Sequence, residues 1–194
     1  MPLPDLVLAS SSSYRKALIA RLGLDCRSLA PDIDERALDQ ERPVETAMRL
    51  AVAKARKIAT DAPAALIIGS DQVAVLGDTV LGKPGTHAAA AQQLRAMSGR
   101  SVVFHTALCL LDAATDAVQV ANVPTTVQMR ELDAALIERY LRRDQPYDCA
   151  GSAKIEALGI ALVENVKSDD PTALIGLPLI ALVSMLKRAG VVVP

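Results

Sequence analysis

The sequence predicts one α/β domain over residues 1–194, in which helices alternate with strands and the sheet has a second, antiparallel part. Three observations lead to this prediction. The chain begins with a short apolar strand, a serine loop and a helix with one apolar face. A second apolar run, Leu66–Ile68, has the pattern of a strand covered on both faces. Two long β-type segments follow after residue 100, and their partial alternation is typical of antiparallel strands.

The composition fits a globular domain that can fold without a metal or disulfide bonds. The chain has 194 residues, of which 51% are hydrophobic, and this is enough to bury a sizeable core. The formal net charge of -1 argues against broad attraction to nucleic acid or to an anionic membrane. Any phosphate binding must therefore come from a local group of residues.

The cysteines and the apolar segments indicate a soluble, cytoplasmic protein. Cys26, Cys109 and Cys149 are odd in number, far apart and without CxxC spacing, which suits a reducing compartment and gives no zinc pattern. No basic region precedes a signal-type apolar segment at the N-terminus. The longest apolar stretch, residues 173–185, contains Pro178 and is too short to span a bilayer.

The first strand and helix enclose a run of serines, Ser10–Ser13. Serines at a helix start cap its free N–H groups, and the same N–H groups can hold a phosphate. Arg15 falls in the first helical turn, where a cation opposes the helix dipole unless an anion lies nearby. Two interpretations stay open for this segment: capping serines beside a surface arginine, or a phosphate site.

A strand at Cys26–Leu29 and an acidic loop precede a helix that runs from Pro43 to about Thr60. Lys54 shares the apolar face of this helix. Its stem either snorkels to the rim of the core or directs an ammonium group at a phosphate or a carboxylate such as Asp71. The loop carboxylates, Glu35 among them, are either solvated or placed to coordinate Mg²⁺.

The stretch LIIGSDQVAVLGDTVLGKP combines a buried strand, a carboxylate and a lysine. Gly69 is expected to end the strand, so that Asp71 and Gln72 lie at its edge, before a hairpin with its turn at residues 77–78. A strict two-residue loop would pair Lys83 with Gln72, on the opposite face from Asp71. A bulge near Gly82 or an early end to the ladder would bring Lys83 to Asp71, and the bulge is the expected solution. The alternative is a solvated hairpin with ordinary charges.

The remaining pattern predicts two helices, two long strands, a further strand and a last helix. His105 is expected to be structural and His87 to be exposed at a helix start. In chain order, these elements are a helix at 87–97 capped by Thr86, strands at 101–112 and 118–130, a helix at 131–143 ended by Pro146, a strand at 157–164 and a helix with Pro178 in its first turn.

Taken together, several separated motifs closely resemble those of the Maf family of nucleoside triphosphate pyrophosphatases, also called septum formation inhibitor-like proteins. The match covers residues 6–186. The resemblance implies an elongated, twisted mixed sheet flanked by helices, as in inosine triphosphatases, with two lobes around a central cleft. It also implies a homodimer and a divalent metal, Mg²⁺ or Mn²⁺. The motifs are LASSSSYR, DIDE, Lys54, GSDQ, LGKP, CAGSAKIE and SDDPTALIGLPL.

The resemblance also assigns roles to individual residues. Asp71 takes the place of the family's proton acceptor, and Glu35 would help it to hold the metal. A triphosphate needs cations and N–H groups against its negative charge, and a carboxylate to deprotonate the attacking water. The substrate-binding positions are Ser10, Arg15, Lys54 and Lys83.

Base preference follows from three further positions. GSDQ and GSAKIE resemble the subgroup that acts on 7-methyl-GTP and removes it as a non-standard nucleotide, with Gln72 and Glu156 as specificity residues. Tyr14 stands where that subgroup is expected to carry Trp, and it keeps an aromatic face. Two alternatives stay open: a pyrophosphatase for dTTP and UTP or for other modified nucleotides, and a non-catalytic regulator of septum formation that binds nucleotide or DNA.

Overall fold

The computed structural model describes residues 4–193, and within that range the chain forms a mixed α/β fold with seven strands and five α-helices. The predicted fold class is therefore confirmed in its mixed sheet and flanking helices. The strands are β1 (Leu6–Ala9), β2 (Cys26–Leu29), β3 (Leu66–Leu76), β4 (Thr79–Leu81), β5 (Ser101–Asp112), β6 (Ala117–Met129) and β7 (Val163–Ser168). The helices are α1 (Ser13–Ala20), α2 (Pro43–Ala59), α3 (His87–Met97), α4 (Ala134–Asp144) and α5 (Leu179–Arg188).

The sheet has the order β2-β1-β3-β5-β6-β7, and β4 pairs with β3 outside this path. β1 lies parallel to both β2 and β3, with Leu6 opposite Cys26 on one side and Leu66 on the other. The pairs β3–β4 and β6–β7 are antiparallel. Parallel pairing near the N-terminus follows from the intervening helices, because parallel strands need a crossover connection.

The chain divides into two compact units, each built from segments that are distant in sequence. Unit 1 contains the residues up to Gln72, Thr106–Val123 and the residues from Asp170 onwards. Unit 2 contains Val73–His105 and Pro124–Asp169. The prediction of one domain over the whole chain stays a prediction.

The core of unit 1 joins the first strand to the last helix. Most of its fully or almost fully buried side chains come from β1, α1, the start of β3, the end of β5 and α5. They form one cluster because each of these elements turns an apolar face inward. Representative members are Leu8, Ile68, Leu108, Leu182 and Leu186.

β3 does not end at Gly69, contrary to the sequence-based expectation. The strand continues to Leu76, so Ser70, Asp71 and Gln72 lie within it rather than beyond its edge. The physical reason is close packing: a Cβ on Gly69 would collide with the carbonyl oxygen of Ala51 in α2. Glycine is required here for the approach of a helix backbone, and not as a strand terminator.

The hairpin between β3 and β4 has the expected register but not the expected bulge. Ala74 lies opposite Leu81 and Leu76 opposite Thr79, as a two-residue loop requires. The ladder ends at Leu81 without an irregularity among its described pairs, so the early end replaces the bulge near Gly82. An approach of Lys83 to Asp71 stays a prediction.

The other differences concern element boundaries. α4 begins at Ala134, three residues later than expected, because the Asp133 side chain accepts a hydrogen bond from the backbone N–H of Leu136 and caps the helix there. Residues Leu158–Leu162, expected in a strand, form a 3-10 turn, and β7 begins only at Val163. Pro178 is the N-cap of α5 and not part of its first turn.

His87 is not merely exposed, as the sequence suggested. In unit 2 its Nδ1 lies 2.9 Å from the hydroxyl of Tyr147, and its Nε2 lies 2.9 Å from Oε2 of Glu138. His105 lies half-buried in β5, where burial lowers the pKa of the imidazole.

The three cysteines carry free thiols. Burial raises the pKa of Cys26 and of Cys109 to about 11, so both behave as small hydrophobic groups with little thiolate. Among the described residues, no helix combines the length and the apolar character that crossing a bilayer requires.

Candidate active site

The centre of the site is a buried ion pair in unit 1. Lys54 Nζ donates to Asp71 Oδ1 at 2.5 Å, and the same ammonium lies 2.7 Å from Oε1 of Glu35. Lys54 and Asp71 are 5% and 7% exposed, whereas the Glu35 side chain is 54% exposed. One cation therefore holds two carboxylates, one in the protein interior and one at the surface.

The fold positions this pair through α2 and β3. Lys54 follows Ala51 by one helical turn on the buried face of α2. Asp71 follows Gly69 by two residues, so both point to the same face of β3. Gly69 lets the backbone of α2 approach β3 at Ala51. Lys54 lies one helical turn after Ala51, and its ammonium group therefore reaches the carboxylate of Asp71. Of the two interpretations of Lys54, the structure shows the ammonium directed at a carboxylate.

Burial raises the pKa of Asp71 above its ordinary value of 3.8. The positive charges of Lys54 and Arg15 act in the opposite direction, and the negative charge of Glu35 acts with burial. A carboxylate with a raised pKa is a stronger base once it is ionised, which suits the acceptance of a proton from water.

Arg15 and the serine loop form the second part of the site. Ser12 Oγ accepts a hydrogen bond from the backbone N–H of Arg15 and caps α1, and buried Ser10 Oγ accepts one from the N–H of Ser12. The Arg15 Nε donates to the carbonyl oxygen of Gly176 at 2.8 Å. Burial lowers the pKa of Arg15, and the charges of Asp71 and Glu35 act against this shift. The arginine is tolerated in the first turn of α1 because these acceptors and charges compensate the unfavourable helix dipole.

The residues on either side of Asp71 hold the loop at 173–176. Ser70 Oγ lies 2.9 Å from the carbonyl oxygens of both Ala107 and Gly176. Gln72 Nε2 donates toward Thr106 Oγ1 and the carbonyl oxygens of residues 173 and 174, at 2.8–3.1 Å. The family resemblance named Gln72 as a specificity residue, and its place in the sequence does not indicate this structural task.

A hydrogen-bonded cap at the start of α5 was not predicted from the sequence. Asp170, 2% exposed, accepts hydrogen bonds from the backbone N–H groups of Thr172 and Ile180, and its carboxylate also contacts the Thr172 hydroxyl at 2.6 Å. Thr172 Oγ1 in turn accepts from the N–H of Leu179. Asp170 and Thr172 thus cap α5 from outside the helix. The acidic and hydroxyl residues of the segment SDDPT, which precedes the helix, are the feature of the sequence that could have predicted this cap.

The three remaining predicted residues are described within their own units. Tyr14 is half-buried in α1 of unit 1. Lys83 is exposed in unit 2, two residues after the end of β4, and Glu156 is exposed in unit 2 in a turn at residues 155–157. The structure thus brings Asp71, Lys54, Glu35 and Arg15 together, and it leaves the roles of Tyr14, Lys83 and Glu156 as predictions.

Within residues 4–193, no group of three or more His, Cys, Asp or Glu side chains has the arrangement of a metal site. Two carboxylates, those of Asp71 and Glu35, nevertheless share one cationic partner. Mg²⁺ is commonly held by one or two carboxylates together with substrate phosphates and water. The donor set therefore fits a metal that binds with its substrate.

The fold and the site define an α/β protein whose first strands and helices assemble a basic and acidic cluster around one buried carboxylate. A family model described as Maf-like protein matches residues 5–189, and the chain belongs to this family. This membership confirms the resemblance that the motifs predicted.

Several relatives are similar over almost their whole length, and each is named 7-methyl-GTP pyrophosphatase. One from Cupriavidus metallidurans is 56% identical over 187 residues, which cover 96% of this chain and 94% of the relative. One from Thiobacillus denitrificans is 57% identical over 97% of this chain and 94% of the relative. One from Aromatoleum aromaticum is 53% identical over the full length of both chains.

Proposed function

We propose that this protein is a nucleoside triphosphate pyrophosphatase that hydrolyses 7-methyl-GTP to the monophosphate and pyrophosphate. The observation that carries the proposal is the buried Asp71 carboxylate, held by Lys54 at 2.5 Å in a chain of the Maf family. The substrate is supported by the names of relatives that are 53–57% identical to this chain.

In the proposed reaction, Asp71 accepts a proton from a water molecule. The water oxygen attacks the α-phosphorus, the bond from this phosphorus to the oxygen bridging the α- and β-phosphates breaks, and pyrophosphate leaves. Burial raises the pKa of Asp71, which makes the carboxylate a better proton acceptor, and Lys54 keeps it oriented. Lys54 also compensates the charge that would otherwise be isolated in the interior.

Phosphate binding is assigned to cations and N–H groups. Arg15 is anchored through Nε to Gly176, so its terminal nitrogens are presented by a fixed side chain. Ser10 organises the loop before α1 and supports an anion-binding helix start. Lys54 and the exposed Lys83 are proposed as further phosphate ligands.

The divalent metal is assigned to Asp71 and Glu35, whose carboxylates already share a cationic partner. When bound, Mg²⁺ or Mn²⁺ would neutralise phosphate charge and polarise the phosphoryl group as a Lewis acid.

Base recognition is assigned to Tyr14, Gln72 and Glu156. Methylation at N7 makes guanine cationic, so the aromatic face of Tyr14 offers a cation-π interaction. The exposed carboxylate of Glu156 is suited to accept hydrogen bonds from the adjacent N1–H and amino group of guanine, a donor pair that uracil and thymine lack. Gln72 contributes through the loop that its amide nitrogen holds.

The test is pyrophosphate release from 7-methyl-GTP, GTP, dTTP and UTP, each with Mg²⁺ and with Mn²⁺. Preferred turnover of 7-methyl-GTP supports the proposal. A preference for dTTP or UTP would instead identify the protein as a pyrophosphatase of the subgroup that acts on these nucleotides. Absence of pyrophosphate release from every substrate with both metals would favour a nucleotide- or DNA-binding regulator.

We also propose a cytoplasmic homodimer. The free thiols are consistent with a reducing compartment, and the dimer rests on the family resemblance. Light scattering of the purified protein tests the dimer directly, because a monomer mass near 20.4 kDa would contradict it.

A further inference from the structure

One glutamine in unit 2 connects two segments that carry predicted substrate residues. Gln93, half-buried on α3, donates from Nε2 to the carbonyl oxygen of Gly82 at 3.0 Å. Its Oε1 accepts from the hydroxyl of Ser152 at 2.6 Å. Gly82 directly precedes Lys83, and Ser152 lies four residues before Glu156.

The Lys83 loop is fixed at both ends. Gly82 is held by Gln93, and the backbone N–H of Gly85 donates to the carbonyl oxygen of Tyr147 at 3.0 Å. Lys83 itself is exposed, so these backbone contacts determine where its side chain starts. Gly85 bonds directly to Tyr147, whereas Gly82 is connected to Ser152 through Gln93. The segment at 147–152 therefore holds both ends of the Lys83 loop.

Ser152 has a backbone conformation that is costly for a residue with a side chain. Its φ is +56°, and it is fully buried. Buried non-glycine residues persist in this region only when their surroundings fix them, and they are frequent at functional sites. The bond to Gln93 is the hydroxyl contact that holds Ser152, and α3 also packs against the 3-10 turn at Ala150–Ser152.

We propose that Gln93 is a positioning residue that couples the Lys83 loop to the segment bearing Glu156. The inference rests on the proposed function, in which Lys83 binds phosphate and Glu156 recognises the base. The described side-chain hydrogen bonds of Gln93 go to Gly82 and Ser152. Gln93 acts by fixing Gly82 and Ser152 relative to each other.

The primary amide of Gln93 performs two tasks that need different groups. The Gly82 carbonyl needs a donor, and the Ser152 hydroxyl needs an acceptor. A glutamate of the same shape can serve Ser152, but it places an acceptor oxygen against the Gly82 carbonyl. The substitution Gln93→Glu therefore breaks one end of the bridge while retaining side-chain volume.

The test compares Gln93→Glu with Gln92→Glu, the same chemical change at the exposed neighbouring position of α3. Steady-state kinetics on 7-methyl-GTP and UTP are measured in the wild-type, Lys83→Ala and Glu156→Gln backgrounds. Loss of the hydrogen bond is expected to lower kcat/KM for 7-methyl-GTP by about 10-fold in Gln93→Glu and to leave Gln92→Glu unchanged. Thermal melting and activity per folded molecule are recorded for every variant.

The energetic coupling between the Gln93→Glu and Lys83→Ala substitutions distinguishes a positioning role of Gln93 from a general loss of protein stability. If Gln93 acts through Lys83, the loss caused by Gln93→Glu is much smaller in the Lys83→Ala background. Ser152→Gly removes the hydroxyl from the other end while accepting the positive φ, and we expect it to reduce the preference for 7-methyl-GTP over UTP.

Three results would overturn the inference. These are equal kinetics of the Gln93→Glu and Gln92→Glu variants, an undiminished loss in the Lys83→Ala background, or a lower melting temperature with intact activity per folded molecule. Should Gln93→Glu not fold, unchanged substrate preference in Ser152→Gly would be decisive against it. A wild-type protein that releases no pyrophosphate would instead overturn the proposed function, and this inference with it.

Discussion

Lys54 and Asp71 form an ion pair that is almost completely removed from solvent, with 2.5 Å between Nζ and Oδ1. Burying two charges costs about as much as their attraction returns, so such a pair contributes little net stability. Removing one partner is different, because it leaves the other charge without compensation. The pair is therefore better explained by the chemistry of Asp71 than by stabilisation of the fold.

Asp71→Asn is expected to retain the fold, because Lys54 keeps the Glu35 carboxylate as its partner, and to retain nucleotide binding while losing most turnover. The amide keeps the shape of the side chain but cannot accept the proton, and general-base catalysis contributes ~10²- to 10⁴-fold. Pyrophosphate release by the purified variant is the measurement, with exposed Asp61→Asn as the control. Near wild-type turnover of Asp71→Asn would remove this carboxylate from the mechanism.

Two substitutions should shift the pKa of Asp71 in opposite directions in the metal-free protein. The charge of Lys54 lowers this pKa and that of Glu35 raises it. Lys54→Met is therefore expected to raise the pKa, and Glu35→Gln to lower it. Carbon-detected NMR of the side-chain carboxyl across a pH series gives both values. A shift of the same sign in both variants would contradict the electrostatic assignment.

The raised pKa of Asp71 also determines the sign of its effect on stability. The folded chain binds this proton more tightly than the unfolded chain. The contribution to the free energy of unfolding is therefore fully present below the ordinary value of 3.8, and it is lost as the pH rises through the folded-state pKa. Lys54→Met should extend this loss to higher pH, which urea unfolding at a series of pH values will measure.

Gly69→Ala is expected to destabilise the protein by ~1–3 kcal/mol, the usual cost of inserting a group into a closely packed site. The new methyl group would meet the backbone oxygen of Ala51, which cannot move without displacing α2. Gly82→Ala is the matched control, because a Cβ there meets no atom within 4 Å. Equal melting temperatures for the two variants would show that α2 shifts freely on β3.

Base preference should depend on Tyr14 and Glu156 separately. Loss of a cation-π contribution of about 0.5–2 kcal/mol should make Tyr14→Ala impair 7-methyl-GTP more than GTP. Glu156→Gln should reduce discrimination against pyrimidine triphosphates, since an amide accepts less well from two adjacent donors. Both effects are measured as ratios of kcat/KM. Equal losses on all substrates would mean that these residues support the fold and do not contact the base.

The Lys54–Asp71 pair was one of the two interpretations that the sequence left open for Lys54. Helical periodicity placed Lys54 on the apolar face of α2, and a buried lysine requires a partner. The same local reasoning misjudged Gly69, because a glycine that ends a strand and one that admits a helix backbone look identical in sequence. Sequence periodicity predicts which face is buried but not what packs against it.

Local sequence patterns do not predict contacts between distant segments. Gln72 meets the carbonyl oxygens of residues 173 and 174, about a hundred positions away. The cap that Asp170 supplies to α5 was missed for another reason: the residue lies well before the helix and reaches it through a turn. Both arrangements depend on tertiary geometry, and no local rule specifies them.

The junction of β1 with α5 in the core of unit 1 has a consequence for synthesis on the ribosome. Leu8 is translated well before Leu182 and Leu186, which belong to the same buried cluster. The apolar surface of β1 therefore lacks these partners while the intervening residues are translated, a situation that favours association with chaperones. We expect the folding of this unit to be slowed by its contacts of long sequence separation.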